Sequence, residues 1–253
     1  MESNRELWNK IYDKFNSQIC TNCRWYNETL NKRVMSRPQP IPYIGCAYEK
    51  DKYRLMFAGM ESYSNEGSKG LYSIFPVKRA KELYLGNNDN DSFSHFWEWV
   101  RQISSEVLKL PLEEAFNHIA YSNLIKCQAR ETLEDFDNPT RIPYDSISIN
   151  CIQRSRWIHK EIEEIDPYNV IVFTGVADQY FLSELFLNDP YHILIDLSLK
   201  YRENNKFLIY LNDGKRNYFI TRYPKGSFNS LRKEIIEIIK GERKKKPLIW
   251  KLS

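Results

Sequence analysis

No run of about eighteen consecutive apolar residues occurs in the 253-residue chain, so no membrane-spanning helix is expected. The amino terminus also lacks the charged-then-apolar pattern of a secretory leader, and the expectation is a soluble cytoplasmic protein. Charge of one sign is equally scarce: 37 Lys and Arg against 33 Asp and Glu leave a net +4. That is too mild for a global electrostatic argument for nucleic acid, so charge has to be read locally. Cysteine is sparse, with five in all, which argues against a disulfide framework and for free thiols, a metal or a cluster. There is no internal repeat. What is plentiful is aromatic: 17 Tyr, 13 Phe and 6 Trp. A chain of this length buries a sizeable core as a single α/β domain, and one domain over residues 1–253 is expected.

Leu7, Trp8, Ile11, Tyr12 and Phe15 fall at helical spacing, which predicts a helix over 6–15 leading into Cys20-Thr21-Asn22-Cys23. Arg37-Pro38-Gln39-Pro40-Ile41-Pro42 reads as an extended connector, because proline lacks a donor and restrains its predecessor. Ile44-Gly45-Cys46-Ala47 looks like core. Residues 54–59 form a short apolar run closed by Gly59, a buried strand followed by a loop from Met60 to Gly70. Phe96, Trp97, Val100, Ile103 and Val107 share one helical face within 93–108. Residues 119–125 are a second strand, and 128–150 read as a long loop. Residues 151–165 are expected as a helix ended by Asp166-Pro167, and 170–175 as a third buried strand followed by a helix over 177–186. Residues 193–195 and 207–210 suit small extra strands, 218–221 the last main strand and 231–239 the final helix. A basic tail over 241–253 closes the chain.

Four strand ends, each followed by a polar or glycine-bearing turn, imply a three-layer α/β/α sandwich around a mainly parallel sheet. In such sheets the ligand crevice lies outside the carboxyl ends of the strands, here the loops after Gly59, Ile125, Phe173 and Thr221. The stretch Tyr121-Ser122-Asn123-Leu124-Ile125-Lys126-Cys127 delivers an amide, a charge and a thiol to that place at once.

These landmarks resemble the uracil-DNA glycosylase superfamily, most closely its iron–sulfur branch. Cys20-x-x-Cys23 stands near the amino terminus. Leu55-Met56-Phe57-Ala58-Gly59-Met60-Glu61 is similar to the first catalytic motif, a strand ending in Gly-x-Asp or Gly-x-Asn. Ser122-Asn123-Leu124-Ile125-Lys126-Cys127 resembles the branch's Asn-Val-Val-Lys-Cys stretch. Cys151, Asp166-Pro167 and Val170-Ile171-Val172-Phe173-Thr174-Gly175 follow its Cys, helix, Pro, strand, Gly order. Thr221-Arg222-Tyr223-Pro224-Lys225-Gly226 occupies the place of the His-Pro-Ser motif. The likeness spans roughly residues 20–239, with 128–150 as an insertion.

The resemblance implies a DNA glycosylase that flips a pyrimidine out of the stack and hydrolyses its N-glycosidic bond. Cys20, Cys23, Cys127 and Cys151 match the family's ligands to a 4Fe–4S cluster; zinc, or ordinary buried thiols, are the alternatives. Asn123 falls on the base-reading asparagine. Glu61 falls on the residue that orients the attacking water, although the branch often carries glutamate one place earlier, where Met60 stands. Gly59 and Met60 line the base site, and Tyr72, with Phe75 as runner-up, is the stacking aromatic. Tyr223 replaces the family's histidine and offers a phenol to charge on the departing base. None of the four histidines, His95, His118, His159 and His192, lies in a motif. Lys126, Arg222, Lys225 and the 243–246 run are expected at phosphates, with Phe228 as a wedge. The changes at Glu61 and Tyr223 point to a modified pyrimidine, such as a hypermodified phage cytosine, or to lost activity. The expected partner is DNA, with the protein acting as a monomer. The competing readings are a non-catalytic DNA- or partner-binding protein on this fold, and an enzyme of another class built on it.

Overall fold

A computed structural model describes residues 6–7, 10, 43–61, 77–86, 94–125, 156–173, 208–221, 229–243 and 248–249, with 60–61, 77–79, 94–95, 125 and 248–249 described in backbone only. The protein is an α/β protein with a mixed seven-stranded sheet. Its strands are β1 (Tyr43–Ile44), β2 (Leu55–Glu61), β3 (Ile119–Ile125), β4 (Asn169–Phe173), β5 (Leu208–Asn212), β6 (Asn217–Thr221) and β7 (Leu248–Ile249), in the order β1-β3-β2-β4-β6-β5-β7. The helices are α1 (Val77–Leu85), α2 (Ser94–Leu108), the short α3 (Leu112–Ala115), α4 (Trp157–Ile165) and α5 (Asn229–Ile239). Strands β3, β2, β4 and β6 run parallel to their neighbours, whereas β1 is antiparallel to β3 and β5 to β6.

The central strands read as unbroken apolar runs because both of their faces are covered, the usual signature of parallel strands. Leu55 to Ala58 of β2 and Val170 to Phe173 of β4 are completely buried. Alternation along the strands sends side chains into two separate clusters. Met56, Ala58, Ala120, Leu124, Val170 and Val172 join Trp157, Ile158, Ile162 and Ile165 of α4. Leu55, Phe57, Ile119, Ile171 and Phe173 join Ala80 and Tyr84 of α1, the Phe96 to Val107 face of α2, and Ile235 and Ile236 of α5. The helices joining β2 to β3 therefore sit on one side of the sheet, and the helix joining β3 to β4 sits on the other. That change of side is what lets the chain add β3 to one flank of β2 and then β4 to the opposite flank.

The amino-terminal edge of the sheet is tied by polar side chains. Asn169 Nδ2 donates to the Tyr53 carbonyl (2.7 Å), Asn217 Nδ2 to Asn169 Oδ1 (3.0 Å), and Asn212 Nδ2 and Tyr210 Oη to Asn217 Oδ1 (2.8 and 2.9 Å). Asp166, left-handed at φ 51° where it ends α4, accepts from Lys215 Nζ (2.5 Å) and the Arg216 guanidinium (3.0 Å). The β5–β6 hairpin closes through Asp213 Oδ1, which accepts from the Lys215 and Arg216 amides, with Gly214 at φ 89° supplying the turn.

Several sequence expectations need correction. Met60 and Glu61 continue β2 and do not begin a loop, because β3 offers a pairing partner as far as Ile125. The helix expected from 151 starts at Trp157, since Arg156 takes a left-handed conformation that breaks helical continuity. Cys46, expected in the core, is exposed, although Ile44 and Gly45 beside it are buried. The stretch expected as a small extra strand over 207–210 is β5, a full member of the sheet. The segment expected as a basic tail contains β7, whose Leu248 and Ile249 pair with Leu211 and Asn212. No helix among the described residues is long and apolar enough to cross a membrane.

Candidate functional site

The parallel pairing places the ends of β2, β3, β4 and β6 along one edge of the sheet. Within it, β2 and β4 are the strands between which the direction of chain addition reverses. In open α/β sheets that switch point is where the connections diverge to opposite faces and leave room for a ligand. The described ladder between β2 and β4 ends at Ala58 and Val172, whereas β2 stays paired with β3 as far as Glu61 and Ile125. Among the described residues, Gly59, Met60 and Glu61 thus extend past the last β4 pair while β3 runs alongside.

Gly59 pairs with Asn123 across the β2–β3 ladder. A Cβ placed on Gly59 would lie 3.1 Å from Asn123 Oδ1 and 3.5 Å from Phe96 Cε2. The missing side chain is therefore what lets the asparagine amide lean over β2. Tyr121, two residues before Asn123 and so on the same face of β3, donates its phenol proton to Asn123 Oδ1 at 2.6 Å. Its ring lies against Trp97 (centroids 5.0 Å) and Phe96 (5.5 Å), and Phe96 meets Phe173 edge-on at 5.2 Å. Asn123 is only half-buried, while Phe96, Trp97 and Phe173, the rings around Tyr121, are buried. An amide whose oxygen accepts from a phenol, set opposite a glycine, suits the hydrogen-bonding edge of a polar ligand.

The opposite face of β3 is also polar at this level. Ser122 Oγ donates to Glu161 Oε2 of α4 at 2.5 Å, and both residues are buried. His159 on the same helix is buried too; burial first, and the Arg156 guanidinium second, lower its pKa to about 4. The Ser122–Glu161 bond joins β3 to α4 behind the strand that carries Asn123.

Of the residues singled out from the sequence, Gly59 and Asn123 are brought together, and Glu61 and Met60 are carried on the same strand by backbone. Thr221 closes β6 opposite Phe173. Tyr72, Phe75, Lys126, Arg222, Tyr223, Lys225 and Phe228, and the cysteines Cys20, Cys23, Cys127 and Cys151, lie outside the described residues, as do the 128–150 insertion and the helix expected over 177–186. Arg243, expected at phosphates, pairs with Glu237 of α5 at 3.6 Å. Tyr121 and Phe96 received no role from the sequence. The signal for Tyr121 was its two-residue spacing from Asn123 on a strand.

These features define the class: an α/β protein with a mixed sheet, whose candidate site lies at the carboxyl ends of its parallel strands. No family model matches the chain. Among curated proteins it is similar to the DNA-directed RNA polymerase subunit beta of Carsonella ruddii (strain PV), with 26% identity over 157 residues. The match covers 58% of this chain and 12% of that subunit, and a likeness of this extent assigns no family.

Proposed function

We propose that the protein is a monofunctional DNA glycosylase on a three-layer, uracil-DNA glycosylase-like domain, acting on a pyrimidine or modified pyrimidine flipped out of DNA. The observation that carries this reading is the seating of Asn123 over Gly59 at the switch point of the sheet. It supplies an amide, with donor and acceptor side by side, where the edge of an extruded base has to be read. In this reading Asn123 pairs with the base, Tyr72 or Phe75 stacks on it, and Glu61 holds the water. Oxygen from that water bonds to C1′ as the glycosidic bond breaks, and the bond's electron pair leaves with the base. Tyr223 donates a hydrogen bond to the charge that builds there. Lys126, Arg222 and Lys225 hold phosphates, and Phe228 fills the gap left in the stack.

The amino-terminal segment is packed against the domain at two described residues. Leu7 is buried with Leu124 of β3 and Trp157 of α4 in one cluster, and Lys10 Nζ pairs with Glu164 of α4 at 2.8 Å. A 4Fe–4S cluster held by Cys20, Cys23, Cys127 and Cys151 would fasten the amino-terminal segment to the domain, without a part in the hydrolysis; zinc is the alternative. Purified protein is expected to contain iron and acid-labile sulfide in equal amounts, and zinc without sulfide would replace the cluster.

The deciding experiment is mass spectrometry of bases released from uracil-containing DNA and, in parallel, from phage DNA carrying modified cytosines. Release from either supports the proposal, and which one answers names the substrate. DNA binding without release from both overturns it in favour of a binding protein.

A further inference from the structure

Strand alternation along β2 sorts the residues around the candidate site onto two faces. Leu55 and Phe57 belong to the cluster with α1, α2 and α5, and Met56 and Ala58 to the cluster with α4. Gly59 continues the first set, because the point where its Cβ would stand meets Phe96 of α2 and the Asn123 amide oxygen. Beyond it β2 remains a strand as far as Glu61. Its ladder to β3 keeps one offset throughout, with Leu55 opposite Ile119, Gly59 opposite Asn123 and Glu61 opposite Ile125. A strand turns successive residues to opposite faces, and a slip or bulge is needed to exchange them. The constant offset leaves no place for one between Leu55 and Glu61. Residue 61 therefore shares the α2 face with Gly59 and Asn123, and residue 60 shares the α4 face with Ala58.

We infer that the ligand site occupies the α2 face of the sheet's carboxyl edge, and that Glu61, not position 60, supplies its carboxylate. The catalytic part rests on the base-excision reading above. That reading needs a water-holding acid just after Gly59, and the sequence alone allows either of the next two positions. The register separates them. An acid at position 60 would stand on the face of Ala58 and Leu124, both completely buried in the cluster with Trp157 of α4. A charge there lacks water and lies across the sheet from the amide that reads the base. At position 61 the acid stands on the amide's own side, one ladder step past the Gly59–Asn123 pair on that face. The groups that address the base and its water then share one face, and α4 forms the back of the site.

Two measurements test this. The first, side-chain NMR resonances of the free protein, needs no DNA. Glu61→Gln is expected to shift the Asn123 side-chain amide and the Phe96 ring while the Leu124 methyls and the Trp157 indole stay in place, and Met60→Leu is expected to do the reverse. The second is base release from the uracil-containing and modified-cytosine DNAs. Glu61→Gln is expected to lower the rate at least about a hundredfold, and moving the acid one place, in Met60→Glu with Glu61→Met, is expected not to restore it. The opposite pattern of shifts overturns the inference, and so does release restored by the moved acid. If the doubly altered protein does not fold, the single substitutions and their resonances decide. Release from neither DNA by the unaltered protein defeats the base-excision reading instead, and the resonances alone then decide the face.

Discussion

Gly59 shows how a single residue can set a site by what it leaves out. In Gly59→Ala the new methyl would meet Asn123 Oδ1 at 3.1 Å, and that oxygen is already held by Tyr121. Base release is expected to fall at least about tenfold, with the far-ultraviolet spectrum unchanged, because a displacement of an ångström or less at a positioning group costs that much. Glu61→Ala is expected to abolish release while leaving DNA affinity intact, and excision by that variant would remove the proposed role of Glu61 in holding water. His159 makes a separate, pH-dependent prediction. Its folded pKa of about 4 lies below the ordinary value of 6.5, so between those values the unfolded chain binds a proton that the native protein does not. Stability is then full above about pH 6.5 and declines toward pH 4, by about 3 kcal/mol over the window. Urea unfolding at pH 7, 5 and 4 checks this, and His159→Leu should give a shallower decline. Residues of this kind were unevenly legible. Gly59 stood out because it closes an apolar run and Asn123 because it is an amide set in an apolar strand, but a hydrogen bond such as Tyr121 to Asn123 depends on side-chain reach that no motif encodes.

At the level of elements, the junction between β3 and α4 decides how firmly the Asn123 strand is held. Ser122 Oγ to Glu161 Oε2 at 2.5 Å is a buried bond from the back of β3 to the helix. Ser122→Ala is expected to lower unfolding free energy by about 2 kcal/mol, read from denaturant midpoints, since the carboxyl loses a buried donor. Element type followed from the sequence wherever the pattern was long: the apolar face of α2, the unbroken runs of β2 and β4, and the terminators Asp166-Pro167. It failed where two residues make a strand only because a neighbour is there to pair. Neither Tyr43–Ile44 nor Leu248–Ile249 carries a period of its own, and both become strands through β3 and β5. The late start of α4 had the same cause in reverse, because a left-handed Arg156 breaks a pattern that continues in sequence.

Across the whole molecule, the two edges of the sheet have different duties. The asparagine ladder and the Asp166 ion pairs lie at the amino-terminal edge, and the candidate site lies at the carboxyl edge. Asn169→Ala should therefore cost about 2 kcal/mol of stability through two lost side-chain hydrogen bonds, measured by thermal melting, with base release per folded molecule unchanged. The outer flanks of the sheet are β1 and β7, each of two described residues. The strand that carries Gly59 lies at the centre. From Leu55 to Ala58 it is hydrogen-bonded to β3 on one side and β4 on the other, so its amides open to water only when the sheet itself comes apart. In a deuterium-exchange experiment these amides should be the last to exchange, at the rate of global unfolding, while Tyr43, Ile44, Leu248 and Ile249 exchange early. The strand that leads to Gly59 thus keeps the slowest clock in the molecule.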